Sequence, residues 1–113
     1  METMENNSRK PIYQLRVYEI FEHNKEPFLV RFRDHAARIM RKHQFNIVRM
    51  WETEINGRQE FVYLLEWENE TELKKQWAEF MADKEWQEIR ERTTVLHGNM
   101  VGRIEDRVLK EVF

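Results

Sequence analysis

The order of apolar patterns along the chain constrains the fold more than any other feature. Runs rich in β-branched and aromatic residues predict four strands, at residues 12–21, 45–54, 60–67 and about 101–108. Apolar side chains at three- and four-residue spacing predict helices after the first strand and after the third. The order βαββαβ predicts an α+β domain, with both helices on one face of a four-stranded antiparallel sheet.

Short polar motifs predict where these elements begin and turn. Asn24 is a candidate N-cap for a first helix that runs to about residue 43. Asn69 is a candidate cap for the second helix, and Asp83 caps again after a break, so this helix is expected in two pieces. The Asn56-Gly57 dipeptide predicts a hairpin turn between the second and third strands.

The length and composition indicate one folded domain. A chain of 113 residues without a linker or repeat is typical of a single domain. Four Trp, seven Phe and three Tyr supply the large apolar surfaces that a folded core needs. We expect a flexible polar tail at 1–10 and the domain at 11–113.

Charge and residue usage argue against several classes of function. The net charge of −2 comes from 19 basic and 21 acidic residues that are interspersed, which is not typical of nucleic-acid binding. The chain has no cysteine and therefore no disulfide or thiolate site. No apolar run approaches the ~20 residues that span a bilayer, and no secretory signal is evident. We expect a cytoplasmic protein without a membrane span.

Alternation along the strands divides their side chains between the two faces of the sheet. We assign to the helix-covered face Leu15, Val17, Val48, Met50, Val62, Leu64 and Ile104. The open face is then assigned Arg16, Tyr18, Arg49, Trp51, Tyr63, Leu65, Trp67 and Arg103. Because an exposed aromatic surface usually marks an interface, this assignment predicts a homodimer that closes through Tyr18, Trp51, Tyr63 and Trp67.

Four local strings resemble the NIPSNAP family over about residues 12–107. They are YQLRVYEI at 13–20, FRDHA at 32–36, MWETE at 50–54 and, most specific, ADKEWQEIRE at 82–91. The resemblance implies a ferredoxin-like dimeric α+β barrel, in which two sheets face each other. One departure is Gln44, which stands where such proteins often have glycine.

His35 is the candidate catalytic residue. It lies on the apolar face of the first helix, where an imidazole could act as a base or a ligand, and it resembles a histidine of the family. The alternative is a structural role. Glu19 and Glu52 lie near the ends of parallel-running strands, but no His-x-His or Glu-x-x-His spacing accompanies them. We predict no metal site.

An apolar pocket is the candidate binding site. Trp77 and Trp86 of the second helical region, with Met50 beneath them and Glu52 at one mouth, could border a pocket for a flat ligand. Ordinary core packing is the alternative. An open space would favour ligand binding, and a filled one would exclude it.

Two functions remain open at this stage. Proteins on the fold implied by the resemblance include cofactor-free monooxygenases and haem-degrading proteins, which suggests a protein that binds a small apolar or aromatic molecule, with possible oxygenase-like chemistry. Trp77 occupies the level of the haem-degrading proteins' axial histidine, which disfavours haem, and we predict no cofactor. The alternative is a non-catalytic homodimeric scaffold or adaptor.

Overall fold

The computed structural model describes residues 10–113 and has the predicted βαββαβ order. The strands are β1 (Ile12–Ile20), β2 (Asn46–Ile55), β3 (Arg58–Trp67) and β4 (Val101–Lys110). They form one sheet in the order β2-β3-β1-β4, and every neighbouring pair is antiparallel. The predicted ferredoxin-like α+β fold is confirmed. The predicted tail at 1–10 lies, apart from Lys10, outside the described residues.

Three helices connect the strands. Helix α1 is continuous from α-helical Lys25–Arg31 through a π-helical turn at Phe32–Ala36 to α-helical Ala37–Lys42. The second helical region consists of α2 (Glu70–Met81) and α3 (Lys84–His97), as the sequence predicts. None of the helices in the described part of the chain has the length and apolar character needed to cross a membrane.

The two predicted caps of the second region are present. The Asn69 side chain accepts a hydrogen bond from the Glu72 N–H at 2.9 Å, and Asp83 accepts one from the Trp86 N–H at 3.0 Å. These bonds satisfy amide groups that have no partner within the helix. The cap at Asp83 starts a new helix directly after α2 and so determines where Trp86 is placed.

Asn24 does not act as the predicted side-chain cap. Its buried amide nitrogen donates instead to the carbonyl oxygens of His97 at 2.9 Å and Asn99 at 2.8 Å. His97 is the last residue of α3 and Asn99 follows it. Carbonyl groups at the C-terminal end of a helix lack partners within the helix. Asn24 therefore ties the start of α1 to the end of α3, a long-range role that local capping rules do not reveal.

Two turns use left-handed backbone conformations. Asn56 and Gly57 have φ of 52° and 77°, as the two central residues of a type I′ hairpin require. Gln44, between α1 and β2, has φ of 69°, a conformation that glycine adopts more readily. The chain thus makes the turn at Gln44 without the glycine that the family resemblance suggests.

The core lies between the three helices and one face of the sheet, and β3 shows which face this is. Phe61, Tyr63, Leu65 and Trp67 are buried, whereas Val62 and Leu64 between them are only half-buried. Tyr18 pairs with Phe61 in the sheet and therefore lies on the same, helix-covered face. The predicted facing of β1 and β3 is wrong.

This result corrects three of the four predicted interface residues. Tyr18, Tyr63 and Trp67 lie under the helices, and Trp51, which pairs with Val62, lies on the open face as predicted. The assignments of Met50 and Ile104 to the helix side are also correct. In β3 both alternating sets are apolar, and in β1 the covered set carries the polar Gln14 and Arg16, so alternation shows which residues share a face without showing which face is covered.

A cluster at the α2–α3 junction predicts how stability responds to acid. Asp83, whose side chain is only 6% exposed, contacts His43 at 2.8 Å and Lys42 at 3.0 Å while it caps α3. The hydrogen bond from His43, followed by those from the Trp86 N–H and Lys42, holds the pKa of Asp83 well below its usual range. A carboxyl group with a lowered folded-state pKa stabilises the fold above its unfolded pKa of about 3.9 and loses that contribution as the pH falls further.

We therefore expect Asp83→Asn to lower the free energy of unfolding by about 1–2 kcal/mol near pH 7. The difference from the unmodified protein should shrink as the pH falls below about 4, because Asp83 of the unfolded chain takes up a proton there while the folded protein keeps this carboxylate ionised. Urea denaturation between pH 3 and about 7 measures this. Asp34→Asn, at an exposed carboxylate paired with the exposed Arg33, serves as the control and should change stability by less than about 0.5 kcal/mol. A difference at Asp83 that does not vary with pH would contradict the prediction.

Candidate ligand cavity between the helices and the sheet

A cavity of about 210 Å³ lies between the helix-covered face of the sheet and the three helices. Every helix contributes to its wall, together with β1 and β4. It is lined by Arg16, Tyr18, Phe28, Arg31, Phe32, Ala36, Met40, Trp77, Phe80, Met81, Trp86, Arg90, Val101 and Ile104. Met81, Arg90 and Ile104 are exposed and form its rim, whereas most of the other lining side chains are buried.

Three larger hollows are of a different kind. One, beside Pro11 and Glu72, is bordered mainly by polar and acidic side chains at the end of the sheet. Another lies on the outer surface of α3, where Val95 and Leu96 are exposed. The third lies beside the Asn56-Gly57 turn and is bordered mainly by polar residues. None has the buried apolar wall that small-molecule sites use.

Aromatic side chains build one wall of the cavity. Trp77 and Phe80 lie on the same side of α2 with ring centroids 5.7 Å apart, and Phe80 stacks on Trp86 at 5.2 Å. Phe28 and Phe32 approach from α1, one turn apart, with their centroids 6.0 Å apart. These rings pack in edge-to-face, tilted and stacked pairs, which favours a rigid wall.

The floor of the cavity carries the phenol of Tyr18 and the guanidinium group of Arg16, both of which contact the buried phenol of Tyr63. The hydroxyl oxygens of Tyr18 and Tyr63 are 2.6 Å apart, and Arg16 donates to them at 3.1 Å and 3.4 Å. Burial raises the pKa of Tyr63 well above its usual value, so its phenol is protonated at neutral pH. Burial opposes the charge of Arg16, but the two phenols outweigh this effect and raise the pKa of Arg16.

Gln14 links the floor to the aromatic wall. Its side-chain oxygen accepts hydrogen bonds from the indole N–H groups of Trp67 at 2.9 Å and Trp77 at 2.8 Å. Its nitrogen donates to Asp106 at 3.0 Å, and Asp106 also pairs with Arg16 at 2.7 Å. This network orients Trp77 beside the cavity, where the Arg16 guanidinium lies 4.4 Å from the Trp77 ring centroid.

Gln14 and Arg16 are not among the predicted site residues. The available signal was two polar residues in a strand whose other side chains are mostly apolar. Such residues, when buried, require hydrogen-bonding partners. Their partner Asp106 lies 90 residues from Arg16 in the sequence. No local motif therefore indicates the network.

Arg31 and Arg90 lie on the side of the cavity near α3. Arg31 donates to the Thr93 hydroxyl oxygen at 3.0 Å, and its guanidinium carbon is 5.4 Å from the Trp86 ring centroid. Burial, together with the nearby charge of Arg90, lowers the pKa of Arg31. The guanidinium group nevertheless stays charged at neutral pH, because an arginine side chain ordinarily loses its proton only under strongly basic conditions.

The cavity brings together two of the five predicted site residues. Trp77 and Trp86 line it, while Met50 and Glu52 lie on the edge strand β2 and do not. Glu52 is exposed and pairs with Lys25 at 2.8 Å. His35 lies in the π-helical turn next to Ala36, outside the lining; its Nδ1 atom is buried and has no hydrogen-bonding partner among the described residues.

The two strand-end carboxylates do not share a site. Glu19 lies on the open face of the sheet and accepts a hydrogen bond from the Arg103 N–H at 3.1 Å, whereas Glu52 pairs with Phe61 on the helix side. Within residues 10–113, no group of three or more His, Asp or Glu side chains is arranged to hold a metal ion.

Solved structures place this architecture among known folds. The chain is similar to an uncharacterized NIPSNAP-like domain protein from Burkholderia xenovorans (TM-score 0.78, 19% identity, covering 92% of this chain and 87% of that one). It is also similar to a NIPSNAP family protein of unknown function from Agrobacterium tumefaciens (TM-score 0.77, 18% identity, covering 91% of this chain and 89% of that one). A dimeric ferredoxin-like protein from an uncultured marine organism is a more distant match (TM-score 0.59, 14% identity, covering 97% of this chain and 95% of that one).

Sequence comparison gives the family. Comparison with curated proteins found no match. The NIPSNAP family profile, however, matches residues 13–112, which is almost the whole described domain. The chain therefore belongs to the NIPSNAP family.

Proposed function

We propose that this protein binds a small apolar or aromatic molecule in the cavity between its helices and its sheet. The observation that carries the proposal is the cavity of about 210 Å³ whose wall is formed by Trp77, Trp86, Phe80 and the phenylalanines of α1. Protein interiors are otherwise close-packed, with few voids larger than a water molecule. A space of this size within an aromatic core favours ligand binding over a purely structural role.

The dimensions limit the ligand. Typical small-molecule sites have volumes of about 300–1,000 Å³, so this cavity suits a molecule with a single ring or a short branched chain. Among the described residues that line it, no carboxylate or imidazole is present to act as a base. Binding is therefore better supported than oxygenase-like catalysis, and a scaffold role would not require the cavity.

Filling the cavity provides the test. Ala36 is buried and lines the cavity from α1, so Ala36→Leu should occupy the space and weaken the binding of single-ring probes by about 100-fold or more. Binding of toluene, phenol and benzoate can be followed through the indole N–H signals of the ¹⁵N-labelled protein. Ala78→Leu makes the same change at an exposed position of α2 and should leave binding unchanged.

Two results would contradict the proposal. One is the failure of every ring probe to bind the unmodified protein at millimolar concentration. The other is undiminished binding to a folded Ala36→Leu variant, which would place the probe elsewhere on the molecule.

The proposal includes a homodimer that closes through the open face of the sheet. That face carries Leu15, Val17, Val62 and Leu64 in its centre and Trp51, which is 45% exposed, on its edge strand. Contiguous apolar surfaces of this kind usually mark interfaces. The dimeric ferredoxin-like neighbour, which covers 97% of this chain, supports a second copy as the occupant.

Sedimentation tests the dimer. Trp51→Glu places a charge on the open face at an exposed position. The monomer should therefore still fold, while the dissociation constant of the dimer should rise by about 100-fold or more at neutral pH. Leu96→Glu, on the exposed surface of α3, is the matched control and should not change the mass. A monomeric unmodified protein at micromolar concentration would contradict this part of the proposal.

A further inference from the structure

We propose that the ligand of this cavity is a carboxylate attached to a single ring, with its anionic group bound between Arg31 and Arg90. This inference rests on the proposed function and specifies the class of ligand. The geometry that carries it is a pair of arginines at one end of an aromatic cavity, near its exposed rim.

The charged side chains that line the cavity are all of one sign. Three of its lining residues are arginines, and among the described residues none of the lining side chains is acidic. The chain as a whole has more acidic than basic residues, 21 against 19, so its composition does not explain this distribution. A concave surface lined by one sign of charge attracts the opposite sign.

The three arginines differ in their partners. Arg16 is already paired with Asp106 at 2.7 Å and hydrogen-bonded to two phenols. Neither Arg31 nor Arg90 has a carboxylate within 4.0 Å in residues 10–113. The positive charge without a counter-ion is therefore concentrated at the α1–α3 end of the cavity.

Arg31 is held in position before any ligand arrives. Thr93 accepts a hydrogen bond from it at 3.0 Å, and its guanidinium group lies over Trp86. Burying a charged group without a counter-ion is unfavourable, and a second cation nearby increases the cost. A bound carboxylate removes both penalties, because its two oxygens accept charge-assisted hydrogen bonds from a guanidinium group.

The remainder of the cavity specifies the rest of the ligand. Beyond the arginines, the wall is formed by the rings of Trp77, Phe80 and Phe32 and by Met40, so the group attached to the carboxylate must be apolar. The volume of about 210 Å³ leaves space for one ring. The planar carboxylate also matches the fixed donor geometry of a guanidinium group.

Matched pairs of probes test the inference on the full chain. The probes are benzoate, phenylacetate and cyclohexanecarboxylate, each compared with its uncharged primary amide by calorimetric and NMR titration. Each carboxylate should bind at least about tenfold more tightly than its amide. Arg31→Gln and Arg90→Gln should each reduce that preference by about tenfold and change the affinity for the amides little.

Control variants separate charge from folding. Arg90 is exposed, so its replacement should not affect folding, and Arg31→Lys should retain part of the carboxylate preference. Arg92→Gln removes an arginine from the outer surface of the same helix, away from the cavity, and should leave all affinities unchanged.

The possible failures are distinguishable. Amides that bind as tightly as carboxylates, or a preference that survives both glutamine variants, would overturn the anionic ligand while leaving a binding cavity. A failure of all six probes, charged and neutral, would overturn the inference and the proposed function together.

Discussion

Leu65→Ala is expected to lower the free energy of unfolding by about 3–4 kcal/mol, whereas Leu64→Ala, one residue away, should lower it by about 1 kcal/mol. Leu65 is fully buried beneath the helices, so its truncation leaves a cavity in close-packed surroundings. Leu64 is half-buried on the open face of the sheet, where the loss of its methyl groups leaves no enclosed void. Urea denaturation monitored by circular dichroism measures both values.

The pair forms its own control, because residue type, strand and substitution are the same. If a dimer closes over the open face, the effect of Leu64→Ala should grow with protein concentration, while that of Leu65→Ala should not. Equal losses at low protein concentration, or a larger loss at Leu64, would contradict the observed facing of β3.

Gln14→Ala is expected to cost about 2–4 kcal/mol of stability. The Gln14 side chain is 2% exposed and is the acceptor for two indole N–H groups and a donor to Asp106. Its truncation leaves the buried indole of Trp67 without a partner and releases Trp77 from the orientation it has beside the cavity. Each buried polar group left unsatisfied costs about 1–3 kcal/mol.

Gln14→Met separates hydrogen bonding from packing, since methionine has a similar volume but no strong acceptor. We expect it to cost about 1–3 kcal/mol and to shift the indole N–H resonances of Trp67 and Trp77. Gln59→Ala, at a half-buried glutamine near the start of β3, should cost less than about 1 kcal/mol. A loss below about 0.5 kcal/mol for Gln14→Met would show that the network contributes little to stability.

Local features of the chain were predictable because they depend on neighbouring residues. Asn69 and Asp83 cap their helices through amides three residues away, and Asn56-Gly57 takes the positive φ angles that its residue types favour. Asn24 shows the limit of this reasoning. It has the residue type of a cap, but its partners are 73 and 75 residues away at the end of α3.

The candidate site was predictable only in part, and for the same reason. Helical spacing identified Trp77 and Trp86 as large apolar side chains on one side of the second helical region, and both line the cavity. Gln14, Arg16 and Asp106 form their network across β1 and β4, which no local spacing indicates.

The sequence by itself determined the order of strands and helices, the caps at Asn69 and Asp83 and the hairpin, since these follow from periodicity and from short-range hydrogen bonds. Only the tertiary structure decided which face of the sheet the helices cover. Alternation along β3 separates Phe61, Tyr63 and Leu65 from Val62 and Leu64, but both sets are apolar. The choice depends on which set packs against the rings of α1, and that contact, like the cavity beside it, exists only when distant elements meet.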